Sequence, residues 1–126
     1  MRDEQFRKLF ELILATDLKA IKVVATIQYV KEIMPVCEAN YPDLLIADTR
    51  LHDGDCFATA KELAEKFPSL KMIFTSLSFH KDVKGRLEQA GACGYFRRVD
   101  DRTKMIDVMQ RVIDLPKSID GYSFQL

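Results

Sequence analysis

Apolar and polar positions along this chain alternate between a helical period and short runs with no polar alternation. Phe6, Leu9, Phe10, Ile13 and Leu14 recur at i, i+3, i+4, i+7 and i+8, which predicts an amphipathic helix over residues 3–15. Residues 21–27 are rich in β-branched side chains and predict a strand, laddered over 21–26. A helix is expected over 30–39, although Pro35 falls inside it; either that helix kinks or Pro35 lies in the first turn of a shorter one. Leu44 to Ala47 then form an uninterrupted apolar run, suited to a strand buried on both faces, and the run stops at Asp48. Turn chemistry at Asp53, Gly54 and Asp55 leads into a helix over 57–66, with Phe57, Ala60, Ala64 and Phe67 inward and Pro68 ending it. A run over 71–76 predicts a strand at 72–75. Val83, Leu87 and Ala90 line a helix closed by Gly91, 94–97 is a short strand, and Met105, Met109, Val112 and Ile113 mark the last helix.

Strands alternating with helices predict an α/β architecture, a parallel sheet covered by helices on both faces. The order begins with a helix, which is unusual. One domain over residues 1–115 is expected, with Pro116 and Gly121 punctuating a tail over 116–126. In open sheets of this kind, chemistry collects beyond the carboxyl ends of the strands. Asp48, Ser76 and Arg98 should converge there. Taken alone, a strand-end acid such as Asp48 is more simply a turn cap.

Composition narrows the function classes. Acidic and basic residues balance at 19 each, so no net field favours nucleic acid or an anionic membrane. No apolar run reaches the length of a membrane span, and a charged start unlike a signal peptide leads us to expect a cytoplasmic protein. Cys37, Cys56 and Cys93 are odd in number and widely spaced, as reduced structural cysteines are. His52 and His80 fall in predicted turns far apart, without a companion ligand.

Three segments, PDLLIADTRLHDGD, KMIFTSLS and AGACGYFRR, occur in order and at suitable spacings. Through them the chain resembles the receiver domain of two-component response regulators, especially the branch usually joined to a LuxR-type helix-turn-helix. The resemblance covers nearly the whole chain and implies a flavodoxin-like fold. It implies that Asp48 is the phosphoacceptor, Ser76 the hydroxyl that binds the phosphoryl oxygen, and Tyr95 the aromatic switch residue. Arg98 takes the place of the usual lysine. A receiver is not a self-contained enzyme. Its implied partners are a cognate histidine kinase and, through the surface bearing Arg97, Asp100, Arg102 and Asp107, a second copy or another response regulator. A solvated, ion-paired face is the equally weighted reading of those four residues.

The chain departs from the family pattern at three places. Aligning FRKLFELIL with the family's first helix leaves no residues for the first strand or the acid pair that ends it. Asp3 and Glu4 read instead as helix N-terminal charge. Arg98 is followed by Val99 where proline is usual, and Cys56 and His52 replace a glycine and a proline of the turn after Asp48. Magnesium would then have Asp48, the Arg50 carbonyl and waters, a weak site. An atypical receiver, phosphorylated poorly or not at all and acting by partner binding, is the expectation. The alternative is a phosphorylation-independent decoy that pairs with a complete response regulator. An aspartate-nucleophile phosphatase of the haloacid-dehalogenase kind would ask for a second acid two residues on, where Arg50 stands. The missing strand should open a gap in the sheet, to be closed by residues 21–26 pairing with 44–47, by the tail over 122–126, or by a second subunit. A homodimer follows from the last.

Overall fold

The computed structural model describes residues 4–17, 21–76, 81–118 and 122. The first helix, α1 (Glu4–Asp17), is followed by α2 (Val30–Asn40) and by β1 (Leu44–Asp48). A small hairpin of β2 (Arg50–Leu51) and β3 (Gly54–Asp55) leads to α3 (Phe57–Lys66), β4 (Lys71–Ser76), α4 (Lys81–Gln89), β5 (Gly94–Arg97) and α5 (Arg102–Asp114). The main sheet has the order β1-β4-β5, and both pairings are parallel. Asp48 lies opposite Thr75, and Ser76 opposite Arg97.

Helices cover both faces, which is why the strands read as continuous apolar runs. Ala47, Met72, Phe74 and Tyr95 point to the side packed by α2, α3 and α4, against Ile33, Leu63 and Leu87. Ile73 and Phe96 point to the other side, against Phe10 and Ile13 of α1 and Val108 and Val112 of α5. The Phe10 and Phe96 rings stack with centroids 5.9 Å apart. Cys37, Cys56 and Cys93 are free and buried, and burial pushes the thiols of Cys37 and Cys93 up from their ordinary range. Lys71 opens the most buried strand. Its Nζ donates to the carbonyls of Ile113, at 2.9 Å, and Leu115, so a lysine closes the carboxyl end of α5 from inside the fold. Tyr122 lies beside it, its hydroxyl donating to the Ser69 carbonyl at 2.7 Å. Residues 123–126, the rest of the expected strand donor, lie outside the described residues.

Helix α2 runs through Pro35, so Pro35 does not sit in the first turn of a shorter helix. An interior proline costs about 3 kcal/mol. The start of the helix is held by compensating contacts. Asp53 accepts from the Val30 N–H at 2.6 Å and the Lys31 N–H at 3.2 Å, while Glu32 accepts from the Tyr29 N–H at 3.1 Å.

Residues 21–27, expected to form a parallel strand over 21–26, join no sheet among the described residues. Nor do they close the gap by pairing with 44–47. A strand exists only with a neighbour to bond, and among the described residues no strand lies beside this segment. A cavity of about 660 Å3 is lined instead by residues 21–27 and by Leu44, Leu45 and Ile46 of β1.

Two predictions follow from the packing. Gly91 has φ of +88°, and a Cβ there would lie 2.7 Å from the Ala64 Cβ. Gly91→Ala should cost about 1–3 kcal/mol, read as a lower urea midpoint; an unchanged midpoint would contradict this packing. For Asp53, burial pushes the carboxyl up, but the N–H groups of Val30 and Lys31 together with the Lys31 charge hold it net below its ordinary 3.8. Its contribution is therefore fully present above pH 3.8 and is lost as pH falls through the folded value. Asp53→Asn should flatten the loss of stability in that acid window, measured as urea midpoint against pH.

Candidate functional site

Asp48 ends β1 and is 2% exposed. A buried carboxylate needs donors or a counter-charge. Parallel pairing supplies the first: Thr75, directly opposite on β4, donates its Oγ1 proton to Asp48 Oδ1. The turn after β5 supplies the second. Arg98 Nε lies 3.7 Å from the same oxygen, and its side chain is largely buried. The Arg98 N–H donates to the Ser76 carbonyl at 2.8 Å, and the Thr49 N–H to the Thr75 carbonyl at 2.8 Å. The loops that carry on from β1 and β5 are thus both tied to the end of β4, which fixes where the guanidinium meets the carboxylate.

Ser76 is one residue further along β4 and faces the other way. Its Oγ lies 2.5 Å from the Tyr95 hydroxyl, and either atom can donate. Tyr95 is buried among the side chains packed by α2, α3 and α4. The carboxyl end of the sheet therefore carries two adjoining pairs, Asp48 with Thr75 on one face and Ser76 with Tyr95 on the other. Sequence reasoning singled out Asp48, Ser76, Tyr95 and Arg98 and passed over Thr75. The missing signal was register, since only the Asp48–Thr75 alignment turns that hydroxyl onto the carboxylate.

The turn after Asp48 closes over its backbone. Cys56 donates its thiol to the Asp48 carbonyl at 3.2 Å, and its N–H to the Thr49 carbonyl at 2.9 Å. Burial, then the negative charges of Asp48 and Asp55, push the Cys56 thiol up to about 12. It stays protonated at neutral pH and is no nucleophile. The neighbouring acids are turned elsewhere: Asp53 holds α2, and Asp55 accepts from the Phe57 N–H at 3.2 Å at the start of α3. Arg50 is exposed and lies opposite Asp55 in the β2–β3 ladder.

Among the described residues no three His, Cys, Asp or Glu side chains gather as metal ligands. Asp48 is the carboxylate at the sheet end, and a guanidinium already faces it. Asp3 and His80 lie outside the described residues, and Glu4 bonds its own helix, pairing with Arg7 at 3.6 Å. His52 packs against the Tyr29 ring, with centroids 5.5 Å apart.

On the surface beside β5 and α5, Arg97 pairs with Asp100 at 3.1 Å and Arg111 with Asp107 at 3.0 Å. Arg102 is exposed at the start of α5, and Val99 is 64% exposed beside them. Among the described residues no helix is long and apolar enough to cross a membrane.

Comparison with solved structures agrees with this architecture. The non-phosphorylated receiver domain of HemR from Leptospira biflexa superposes with a TM-score of 0.76 at 21% identity, over 93% of each chain. A LuxR-family two-component response regulator from Aurantimonas sp. SI85-9A1 gives 0.78 at 14% identity, over 98% of this chain and 84% of that one. The chemotaxis protein CheY4 of Vibrio cholerae gives 0.73 at 16% identity, over 87% and 91%. At such identities the likeness is one of fold. No curated protein matches the chain. The family model described as the response regulator receiver domain matches residues 3–110, and the chain belongs to that family.

Proposed function

We propose that the chain is a receiver-type signalling module in which Asp48 is the phosphoryl acceptor, phosphorylated slowly, with partner binding as its output. The observation that carries this reading is the buried Asp48 carboxylate meeting a hydroxyl and a guanidinium at the carboxyl end of a parallel sheet. A carboxylate that attacks phosphorus approaches another anion, so a fixed positive charge and aimed donors are what the step needs. An Asp48 oxygen forms the new P–O bond, and the bond to the leaving group breaks with its electron pair leaving on that group. Arg98 offsets the added charge, gripping phosphoryl oxygens as a planar fork where a lysine would act as a point charge. Thr75, whose hydroxyl already meets the Asp48 carboxylate, turns to a phosphoryl oxygen. The shift at the end of β4 is passed to the adjoining Ser76 and Tyr95 pair, and through it to the surface of α4, β5 and α5.

Slow transfer is expected because Asp48 is almost inaccessible and must give up the Thr75 hydroxyl to react. That observation also favours a second reading, a receiver-like decoy that pairs with a complete response regulator without phosphoryl chemistry. A histidine kinase is the proposed donor in the first reading. In both, the partner surface includes Arg97, Asp100, Arg102 and Asp107, through which homodimers or mixed dimers would form.

Acetyl phosphate labelling followed by intact-mass measurement separates these readings. Slow addition of one phosphoryl group is expected for the native chain and none for Asp48→Asn. Arg98→Ala should slow labelling by at least about tenfold. Labelling that survives Asp48→Asn would place the chemistry elsewhere, and no labelling of the native chain would leave the decoy. Magnesium titration should show weak binding; a tight stoichiometric site would contradict the donor set described above.

A further inference from the structure

Beyond Asp48 the chain folds at once into the short hairpin of β2 and β3. Two ladder pairs hold it, Arg50 with Asp55 and Leu51 with Gly54, and the Cys56 N–H closes its neck on the Thr49 carbonyl at 2.9 Å. So few bonds do not keep a hairpin in place; its side chains do. Leu51 is buried in one cluster with Ala47, Ile33 and Cys56, and anchors the root. The outer side is open. Arg50, His52, Asp53 and Asp55 are exposed, and a Cβ at Gly54 would meet nothing within 4 Å. From this open tip Asp53 reaches the start of α2, taking the Val30 N–H on Oδ1 at 2.6 Å and the Lys31 N–H on Oδ2 at 3.2 Å. A residue 23 positions from Val30 thus supplies a carboxylate that caps this helix. His52 sets its ring against Tyr29 beside it. At the root lie two groups closed to solvent, Asp48 and the Cys56 thiol, which donates to the Asp48 carbonyl.

We propose that the hairpin is a flap latched on α2 by Asp53, and that release of this latch is what opens Cys56 and Asp48 to reagents. A carboxylate accepting two N–H groups at the positive end of a helix is a charge-assisted contact, so losing it raises the population of the open hairpin. Opening draws Leu51 out of the cluster it shares with Cys56, and the thiol loses its cover. It also parts the Cys56 bond to the carbonyl of Asp48, the residue whose carboxylate is to react. Leu51 draws the flap shut again, since its burial is favourable. Release leaves the β1-β4-β5 sheet as it is, because the hairpin forms a separate sheet of two strands. Asp53 is a positioning residue here, acting on the site through the hairpin. What concerns Asp48 rests on its reading as the phosphoryl acceptor; the latch itself does not.

The test uses the full chain and reads the flap through its own thiol. The folded protein is treated with N-ethylmaleimide, and modification of Cys56 and Cys93 is followed by peptide mass mapping. Cys93, buried in the core on the other face of the sheet, reports unfolding of the whole. A closed flap keeps the Cys56 thiol buried and protonated, so it reacts only while the flap is open. Asp53→Ala should raise the Cys56 rate about fivefold or more, the scale of a lost helix cap, with the Cys93 rate unchanged. Asp53→Asn, which keeps an acceptor oxygen without the charge, should fall between. Acetyl phosphate labelling of Asp48 should rise in Asp53→Ala by the same factor as the Cys56 rate. An unchanged Cys56 rate would overturn the latch, and so would equal rises at Cys56 and Cys93, which mean general loosening. A faster Cys56 with measurable but unchanged labelling would overturn the flap's control of Asp48. A faster Cys56 with no labelling of any variant would uphold the latch and count against Asp48 as the acceptor.

Discussion

The parallel ladder between β1 and β4 is the constraint on which the rest depends. It sets Leu44 against Lys71 at one end and Asp48 against Thr75 at the other. Because the side-chain period of a strand is two, a slip of one residue would turn Asp48 to the opposite face and bring Ala47 onto the Thr75 side. The register also fixes the loops, since Thr49 and Arg98 both donate their N–H groups to carbonyls at the end of β4. Carboxylate, hydroxyl and guanidinium are thus assembled by backbone bonds before any side-chain preference acts.

Much of this was legible from the chain alone. The runs at 44–47, 72–75 and 94–97 announced buried parallel strands because helices cover both faces, and Asp48 ends the first of them. Arg98 and Tyr95 were singled out through the family resemblance that AGACGYFRR carries. Thr75 was not, since an apolar strand with two hydroxyls at its end does not say which one faces the acid. The Asp53 contacts with Val30 and Lys31 were invisible for a similar reason: they join residues 23 and 22 positions apart, and an acid in a turn has a local explanation. Lys71 opened the run over 71–76 with no role assigned to it, yet it is buried and its amine caps α5.

Residues 21–27 teach a different lesson. Their β-branched pattern describes a surface that suits a strand, but pairing is supplied by a neighbour, and local propensity cannot create one. Among the described residues β1 pairs only with β4. Helices α1 and α2 keep the spacing of the two layers through contacts with Ile73, Phe96 and Leu63, and the cavity remains between them. The site survives beside it because Asp48 depends on the β4 edge and not on the open one.

The central claim, that the β1–β4 register delivers Thr75 and Asp48 to each other as a coupled buried pair, is tested most directly by a double-mutant cycle. Asp48→Asn, Thr75→Val and the double variant would be unfolded in urea at neutral pH. The account predicts a coupling free energy of about 1–3 kcal/mol, as for a hydrogen bond to a buried charged group. Strictly additive effects, with coupling indistinguishable from zero, would contradict it.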